Sequence, residues 1–388
     1  MDFTFTEEQE LFKDSVRRFA EDRLAPDALA RAHRPGFPFD VAKACAAQGL
    51  MGITLPEADG GHGGSLMDAV IAIEQVALAD PRGADAVQQG NFGSIRTFAE
   101  YASPQQKERF LPQLLAGEAV LGLGMSEADA GSAVTDLKTR AEPDGDGGYR
   151  ITGGKVFTSH SCEANVFLIY VRFGPGVGGI GSVLMERGQE GFSFGKPTAY
   201  TNGEEWCALH FDGVRIEPHN VLLGPGGFKR QIAGFNAERI GNAARARSLG
   251  QYAFEAAREH AQTRTQFGRP LCEFQGLQWK FADMLVALEA AQLLLYRAAV
   301  KADQGLPSAQ DTALAKLMCN RAGFDAANEA VQIMGGTGYS TEHLVEYCFR
   351  KSRGWLIAGG SAEMMRNRIA EGIFEARFPQ RLPEARTA

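Results

Sequence analysis

The chain has only six cysteines, Cys45, Cys162, Cys207, Cys272, Cys319 and Cys348, and none falls into a Cys-x-x-Cys pair or a Cys/His ligand spacing. No metal site is therefore visible, and the pattern fits unpaired thiols in a reducing, cytoplasmic setting. Basic charge is also short. Lys and Arg number 40 against 47 Asp and Glu, for a net charge of −7, so the footprint that neutralises a phosphate backbone is missing and nucleic acid is not expected as a partner. Long hydrophobic runs are absent too: the longest, around Met284 to Leu295, is interrupted by Glu289 and Gln292. The opening MDFTFTEEQELF lacks the basic and apolar regions of a signal peptide, so neither export nor a membrane span is expected.

What remains is an ordinary globular composition, 44% hydrophobic and 22% charged over 388 residues, enough for about two to three domains and a sizeable core. Helical signals fill the first part. Thr6 to Gln9 forms a capping box ahead of Leu11, Phe12, Val16, Phe19 and Ala20 at helical spacing. In SPQQKERFLPQLLAG, Ser103 suits the N-cap, Pro104 the first helical position, Gln106 the capping box and Gly117 the stop. Around Leu121 the period changes. YRITGGKVFTS, NVFLIYVRF, SVLMER, GFSF and CALHFDGVRI are short, rich in β-formers and separated by turn-formers. Long helical patterns return from Phe228, with turns short enough for an antiparallel bundle. The reading is an α+β multidomain chain: an N-terminal helical domain over residues 1–121, a middle β domain over 122–224 and a C-terminal helix bundle over 225–388. Gly174, Gly176 and Gly179 satisfy G-x-G-x-x-G, but IGSVLMERG follows as a strand, so a hairpin loop is read there and not a dinucleotide site.

Five motifs then agree in order and spacing. SEADAGS (Ser126 to Ser132) is similar to T/S-E-P-x-A-G-S, and KVFTS (Lys155 to Ser159) to K-x-W-I-T/S. RTQFGRPL (Arg264 to Leu271) with Gln275 is similar to R-x-x-F-G-x-x-L and its following Gln, and QIMGGTGY (Gln332 to Tyr339) to Q-x-x-G-G-x-G-Y. GGSAEMMRNRIAEGI (Gly359 to Ile373) is similar to E/G-G-T-S-E-I-M-R-N-I-I-A-R-G-I. Over nearly its whole length the chain resembles the acyl-CoA dehydrogenase flavoproteins. The resemblance implies a β-barrel for the middle domain and FAD between it and the bundle. It also implies a homo-oligomer, a dimer of dimers, that shares its cofactor, and electron-transfer flavoprotein as electron acceptor. By matched position, Leu123, Met125, Ser126, Gly131, Ser132, Phe157 and Ser159 would line the isoalloxazine. Arg264, Phe267, Gln332 and Gly336 would hold the pyrophosphate and adenine of a cofactor partly bound by the neighbouring subunit, and Ser361 and Glu363 would face FAD from the bundle. The residues themselves are compatible: a flavin needs hydroxyl and backbone donors more than charged ligands, and Phe157 offers stacking area without the indole of the usual Trp.

One motif departs where the chemistry is centred. Its first residue is Gly359, where most relatives carry the glutamate that takes the α-proton, and glycine cannot abstract a proton. Long-chain and isovaleryl-type members instead place the glutamate in an E-R pair on the helix that opens the bundle. Glu238-Arg239 stands at the matching place, so Glu238 is the expected base, with Arg239 beside the substrate or flavin. Taken alone, a Glu shortly after Asn236 would more often stabilise a first helical turn. Gly359 keeps the backbone N–H that would polarise the thioester carbonyl. A further departure is NGEEW, Asn202 to Trp206, whose Glu204 and Glu205 would repel an anionic CoA unless the loop folds away or the acyl carrier is an acyl carrier protein; as ordinary turn residues they would be solvated. The expected activity is FAD-dependent α,β-dehydrogenation of a saturated acyl thioester. The alternatives are a flavin oxidase or monooxygenase on the same fold, or a catalytically silent subunit of a mixed assembly.

Overall fold

The structure is a computed structural model that describes residues 4–303 and 308–380. Its helices begin where the sequence supplies side-chain caps. Thr6, Ser65 and Ser103 each accept from the backbone N–H three residues on and form full capping boxes, starting helices Glu7–Arg23, Leu66–Ala79 and Pro104–Leu115. Gly117 ends the last of these at φ 69°, and a Cβ there would lie 2.4 Å from the Ala42 carbonyl carbon. Only glycine suits that conformation and that close approach.

The strands of the middle domain occupy Leu121 to Leu223, and a short pair, Thr265–Gln266 with Arg269–Pro270, lies beyond them. The main sheet has eight, in the order Val221–Leu223, Ile180–Glu186, Val166–Arg172, Arg140–Pro143, Tyr149–Lys155, Leu209–Ile216, Phe192–Phe194, with Leu121–Gly124 parallel to Val166–Arg172. Six consecutive residues of the central strand, Val166 to Val171, are buried. Such an unbroken apolar run requires cover on both faces, and each side of the strand joins a different core, Val166, Leu168 and Tyr170 in one and Phe167, Ile169 and Val171 in the other. The glycine-rich decoy joins the antiparallel strands Val166–Arg172 and Ile180–Glu186, as a hairpin loop should.

Helix Phe228–Thr263 then runs for 36 residues, roughly 53 Å. It starts against the sheet, where Gln231 Nε2 donates to Ser182 Oγ at 2.6 Å and Phe228 packs edge-on to Tyr170. It continues beside Leu66–Ala79 and Ala84–Asn91 and forms a bundle with Gln275–Ala302 and Ala309–Met334. Near the middle of its contact with Ala309–Met334 the two backbones touch: a Cβ on Gly323 would sit 2.0 Å from Ala246 O, and one on Gly250 would sit 2.6 Å from Gly323 Cα. These two helices run parallel, since Asn242 and Lys316 both lie beside Gly359, ahead of the Gly250–Gly323 contact on each helix.

Helix Gln275–Ala302 leaves an apolar stripe in solvent, Trp279, Val286, Leu293 and Val300, at a seven-residue spacing and each more than half exposed. No described helix is long and apolar enough to cross a membrane.

Candidate active site

Glu238 lies three turns inside the long helix, so it is not the first-turn residue that Asn236 alone suggested. Asn236 instead accepts from Arg239 Nη1 at 2.8 Å. The Glu238 carboxylate enters a small polar chamber. Gln88 Nε2 donates to Glu238 Oε1 at 3.4 Å and to Asn242 Oδ1 at 2.9 Å. Glu238 Oε2 is buried, with the backbone of Gly93 as its nearest polar neighbour and no well-aligned hydrogen bond among the described residues. Burial pushes this carboxyl up to about 8, opposed by the cation of Lys316.

Lys316 is the chamber's other charge, and burial, reinforced by Arg239, brings it down to about 7. Its Nζ donates to the carbonyls of Trp355, Ala358 and Gly360 at 3.1, 2.9 and 3.1 Å. Three carbonyls gathered on one ammonium fix the loop that carries Gly359. That loop turns at φ 65° and 94° through Gly359 and Gly360 into helix Ala362–Ile373, capped by Ser361 Oγ. Glu238, Lys316 and Gly359 therefore share one end of the bundle. Arg239 is buried and lowered to about 10 by burial and by Arg368, and its Nε is unpartnered. It points to a structural contact with Asn236 more than to the Glu238 carboxylate.

The expected isoalloxazine residues collect on one rim of the sheet. Leu123 bridges to Ser159, and Ser126 O accepts from Val156 N at 3.0 Å, which ties Leu121–Gly124 to the KVFTS segment. Lys155, buried, bonds Glu127 Oε1 at 2.7 Å and Met125 O at 3.2 Å, and Glu127 also accepts from the Thr139 backbone at 2.9 Å. This anchors the turn from which Gly131 and Ser132 stand exposed, with open space where a Gly131 side chain would be. Phe157 is 59% exposed at φ 54°. A conformation uncommon for a bulky residue, on an exposed ring beside hydroxyls, suits a planar ligand. The rim holds Ser126, Ser132 and Ser159 hydroxyls and open backbone, the donor set a flavin ring takes.

Arg264, Phe267, Gln332 and Gly336 gather elsewhere. Arg264 caps the C-terminus of the long helix and Phe267 is 94% exposed. Gln332 and Gly336, also exposed, lie where Ala309–Met334 ends and the next turn begins, alongside Arg264 because the two helices are parallel. Arg264 stands 26 residues beyond Glu238, roughly 39 Å along the axis. Ser361 and Glu363 sit at the first end, Ser361 partly buried and Glu363 exposed.

Several features of the site were not visible in the sequence. Trp206 packs against Phe157, with the two ring centroids 4.4 Å apart, so an indole stands beside the exposed phenyl ring of KVFTS. Glu204 is not a solvated turn residue: it pairs with the buried Lys351 of helix Leu344–Trp355, which folds the NGEEW loop onto the bundle. Lys316, Gln88 and Asn242 were also missed. A lone lysine in the apolar face of ALAKLMC was the one available signal.

Family models of the acyl-CoA dehydrogenase N-terminal, middle and C-terminal domains match residues 6–118, 122–214 and 225–374. A short-chain-specific acyl-CoA dehydrogenase of Clostridium acetobutylicum is 34% identical over 96% of this chain and 100% of its own. A 3-sulfinopropanoyl-CoA desulfinase of Paraburkholderia xenovorans is 33% identical over 98% of this chain and 99% of its own. The solved structure of butyryl-CoA dehydrogenase from Megasphaera elsdenii superposes with a TM-score of 0.89 at 30% identity, covering 96% and 100% of the two chains.

Proposed function

The chain belongs to the acyl-CoA dehydrogenase family, and on that premise we propose that it dehydrogenates a saturated acyl-CoA thioester to the trans-2-enoyl thioester with FAD. The observation that carries the reading is the fully buried carboxylate of Glu238, held among the described residues only by a long bond from Gln88 and the backbone of Gly93, in the same pocket as Lys316 and the Gly359 loop. Desolvation makes this carboxylate a strong enough base near neutrality to take the α-proton, while the Gly359 amide, on the loop held by Lys316, donates to the thioester carbonyl as enolate charge develops. FAD, when bound, supplies the acceptor for the β-hydrogen. Leu123, Met125, Ser126, Gly131, Ser132, Phe157 and Ser159 would hold its ring, with Ser361 and Glu363 on the bundle side.

Arg264, with Phe267, Gln332 and Gly336 near it, stands roughly 39 Å along the long helix from Glu238, which supports a role toward a neighbouring subunit's FAD. The exposed Trp279, Val286, Leu293 and Val300 stripe supports the same homo-oligomer, a dimer of dimers. Electron-transfer flavoprotein is the electron acceptor in this reading. A solved structure described under that flavoprotein's name, from Acidaminococcus fermentans, aligns at 30% identity with a TM-score of 0.89. The free thiols support a cytoplasmic location.

Anaerobic mixing of the FAD-loaded protein with straight, branched and aromatic acyl-CoA thioesters tests the reading: bleaching of the flavin with formation of the enoyl product is expected. A flavin that no thioester bleaches would overturn it. A second reading follows the name of the Paraburkholderia relative: cleavage of the C–S bond of a 3-sulfinoacyl thioester by water to give the saturated acyl thioester and sulfite. It is favoured by two buried arginines, Arg82, which donates to the Gly36 carbonyl, and Arg245, each with a guanidinium nitrogen lacking a partner among the described residues. Sulfite release without bleaching would select it.

A further inference from the structure

Beyond Glu238 the chamber is floored by amides and ion pairs. Glu238, Asn242 and Arg245 stand at i, i+4 and i+7 on one stripe of the long helix, facing Asp85 and Gln88 of helix Ala84–Asn91. Gln88 and Asn242 are 2% and 1% exposed and bond each other at 2.9 Å. Immediately behind them Arg245 pairs with Asp85 at 2.9 Å, and Asp85 pairs with Lys351 at 2.9 Å. An alkyl chain reaching past Glu238 would meet hydrogen-bonding and charged groups where an apolar tunnel is needed.

Asn242 is the decisive member. Its Oδ1 is taken by Gln88, but its Nδ2 has no partner among the described residues. That nitrogen lies against Gly359, since a Cβ built there would fall 2.3 Å from it, on the loop expected to meet the thioester. Buried amide N–H groups are rarely left without an acceptor, so an apolar acyl end here would leave the donor desolvated and unpaired.

We propose that Asn242 sets acyl specificity: its free N–H takes an oxygen carried by a short acyl group, and long alkyl chains are excluded. This rests on the acyl-thioester reading, though not on which bond of the acyl group then breaks. Asn242 lies roughly 6 Å along the axis from Glu238, which places the oxygen a few bonds beyond the α-carbon.

The test compares three five-carbon thioesters, valeryl-CoA, 4-oxovaleryl-CoA and glutaryl-CoA, with octanoyl-CoA. Dissociation constants are measured by calorimetry on the FAD-loaded Glu238→Gln protein, so that turnover does not interfere. At least one oxygen-bearing thioester should bind about threefold to tenfold tighter than valeryl-CoA, the advantage of one hydrogen bond, and octanoyl-CoA should bind more weakly than valeryl-CoA. The winner of the oxo and carboxylate arms states whether the acceptor is neutral or anionic. Adding Asn242→Leu should erase the preference. Equal or tighter binding of valeryl- or octanoyl-CoA overturns the proposal, as does a preference that survives Asn242→Leu. The ranking on the Asn242 protein decides by itself if the leucine variant does not fold.

Flavin bleaching of the wild-type protein is read separately. The expected ranking without bleaching leaves Asn242 in place and removes the dehydrogenation reading. Bleaching without the ranking does the reverse.

Discussion

Replacing Glu238 by Gln should abolish substrate-driven flavin bleaching and at the same time make the protein more stable at alkaline pH. The carboxyl rises from 4.5 to about 8 through burial. At about 1.4 kcal/mol per unit, the penalty for ionising it in the folded state is capped near 5 kcal/mol. The sign follows from proton counting. Between those values the folded protein holds this proton more tightly than the unfolded chain, so stability falls as pH rises through the window. Glutamine has no proton to lose and removes the fall. Lys316, lowered to about 7, is largely uncharged at the alkaline end and its opposition is already contained in the carboxyl's shift, so a relative gain of up to about 4 kcal/mol is expected between pH 5 and pH 9. Urea unfolding of both FAD-loaded proteins across that range measures it. The wild-type kcat/KM for bleaching should rise with pH through an apparent pKa near 8, as expected of a base that must first ionise. A stability difference that stays flat from pH 5 to pH 9 would refute the buried-carboxylate argument, and bleaching that persists in the variant would refute the role as base.

Gly359→Ala should cost about 1–3 kcal/mol, because φ is 65° and the new Cβ would fall 2.3 Å from Asn242 Nδ2. Adding Asn242→Ala should recover the steric part and leave the backbone part, a non-additivity that urea midpoints of the single and double variants would show. Lys316→Met should release the carbonyls of Trp355, Ala358 and Gly360. Stability should drop by about 2 kcal/mol or more, with faster amide hydrogen exchange across residues 355–360. Unchanged exchange there would mean that the loop is held by something else.

The capped helices were legible because their signals are local: Thr6 and Ser103 close their boxes within four residues, and the structure reproduces both. The start of the long helix was not. Gly227 gives no side-chain cap, whereas Asn236 looks like one, and the helix begins at Phe228 because Phe228 and Gln231 dock on Tyr170 and Ser182 of the sheet. A tertiary contact overrides the local signal there. The same limit explains Trp206, which meets Phe157 only when the Thr198–Ala199 and Glu205–Trp206 strands pair and fold over the rim. No spacing in NGEEW reveals that partner.

The departure at Gly359 and the placement of Glu238 are better understood as one arrangement than as two. A carboxylate at position 359 would need a Cβ where Asn242 Nδ2 now lies, on a backbone at φ 65° that non-glycine residues rarely adopt. Asn242 is in turn held by Gln88, which also reaches Glu238. The amide pair that closes the chamber therefore excludes one site for a base while supporting the carboxylate at the other. Moving the glutamate back to position 359 would require the floor to be rebuilt, so a Gly359→Glu, Glu238→Gly exchange made alone should yield a protein that neither folds as well nor bleaches its flavin. Truncation of Asn242 in the same chain should restore stability before it restores bleaching, because the steric conflict is local, whereas a working base also needs a desolvated, correctly aimed carboxylate.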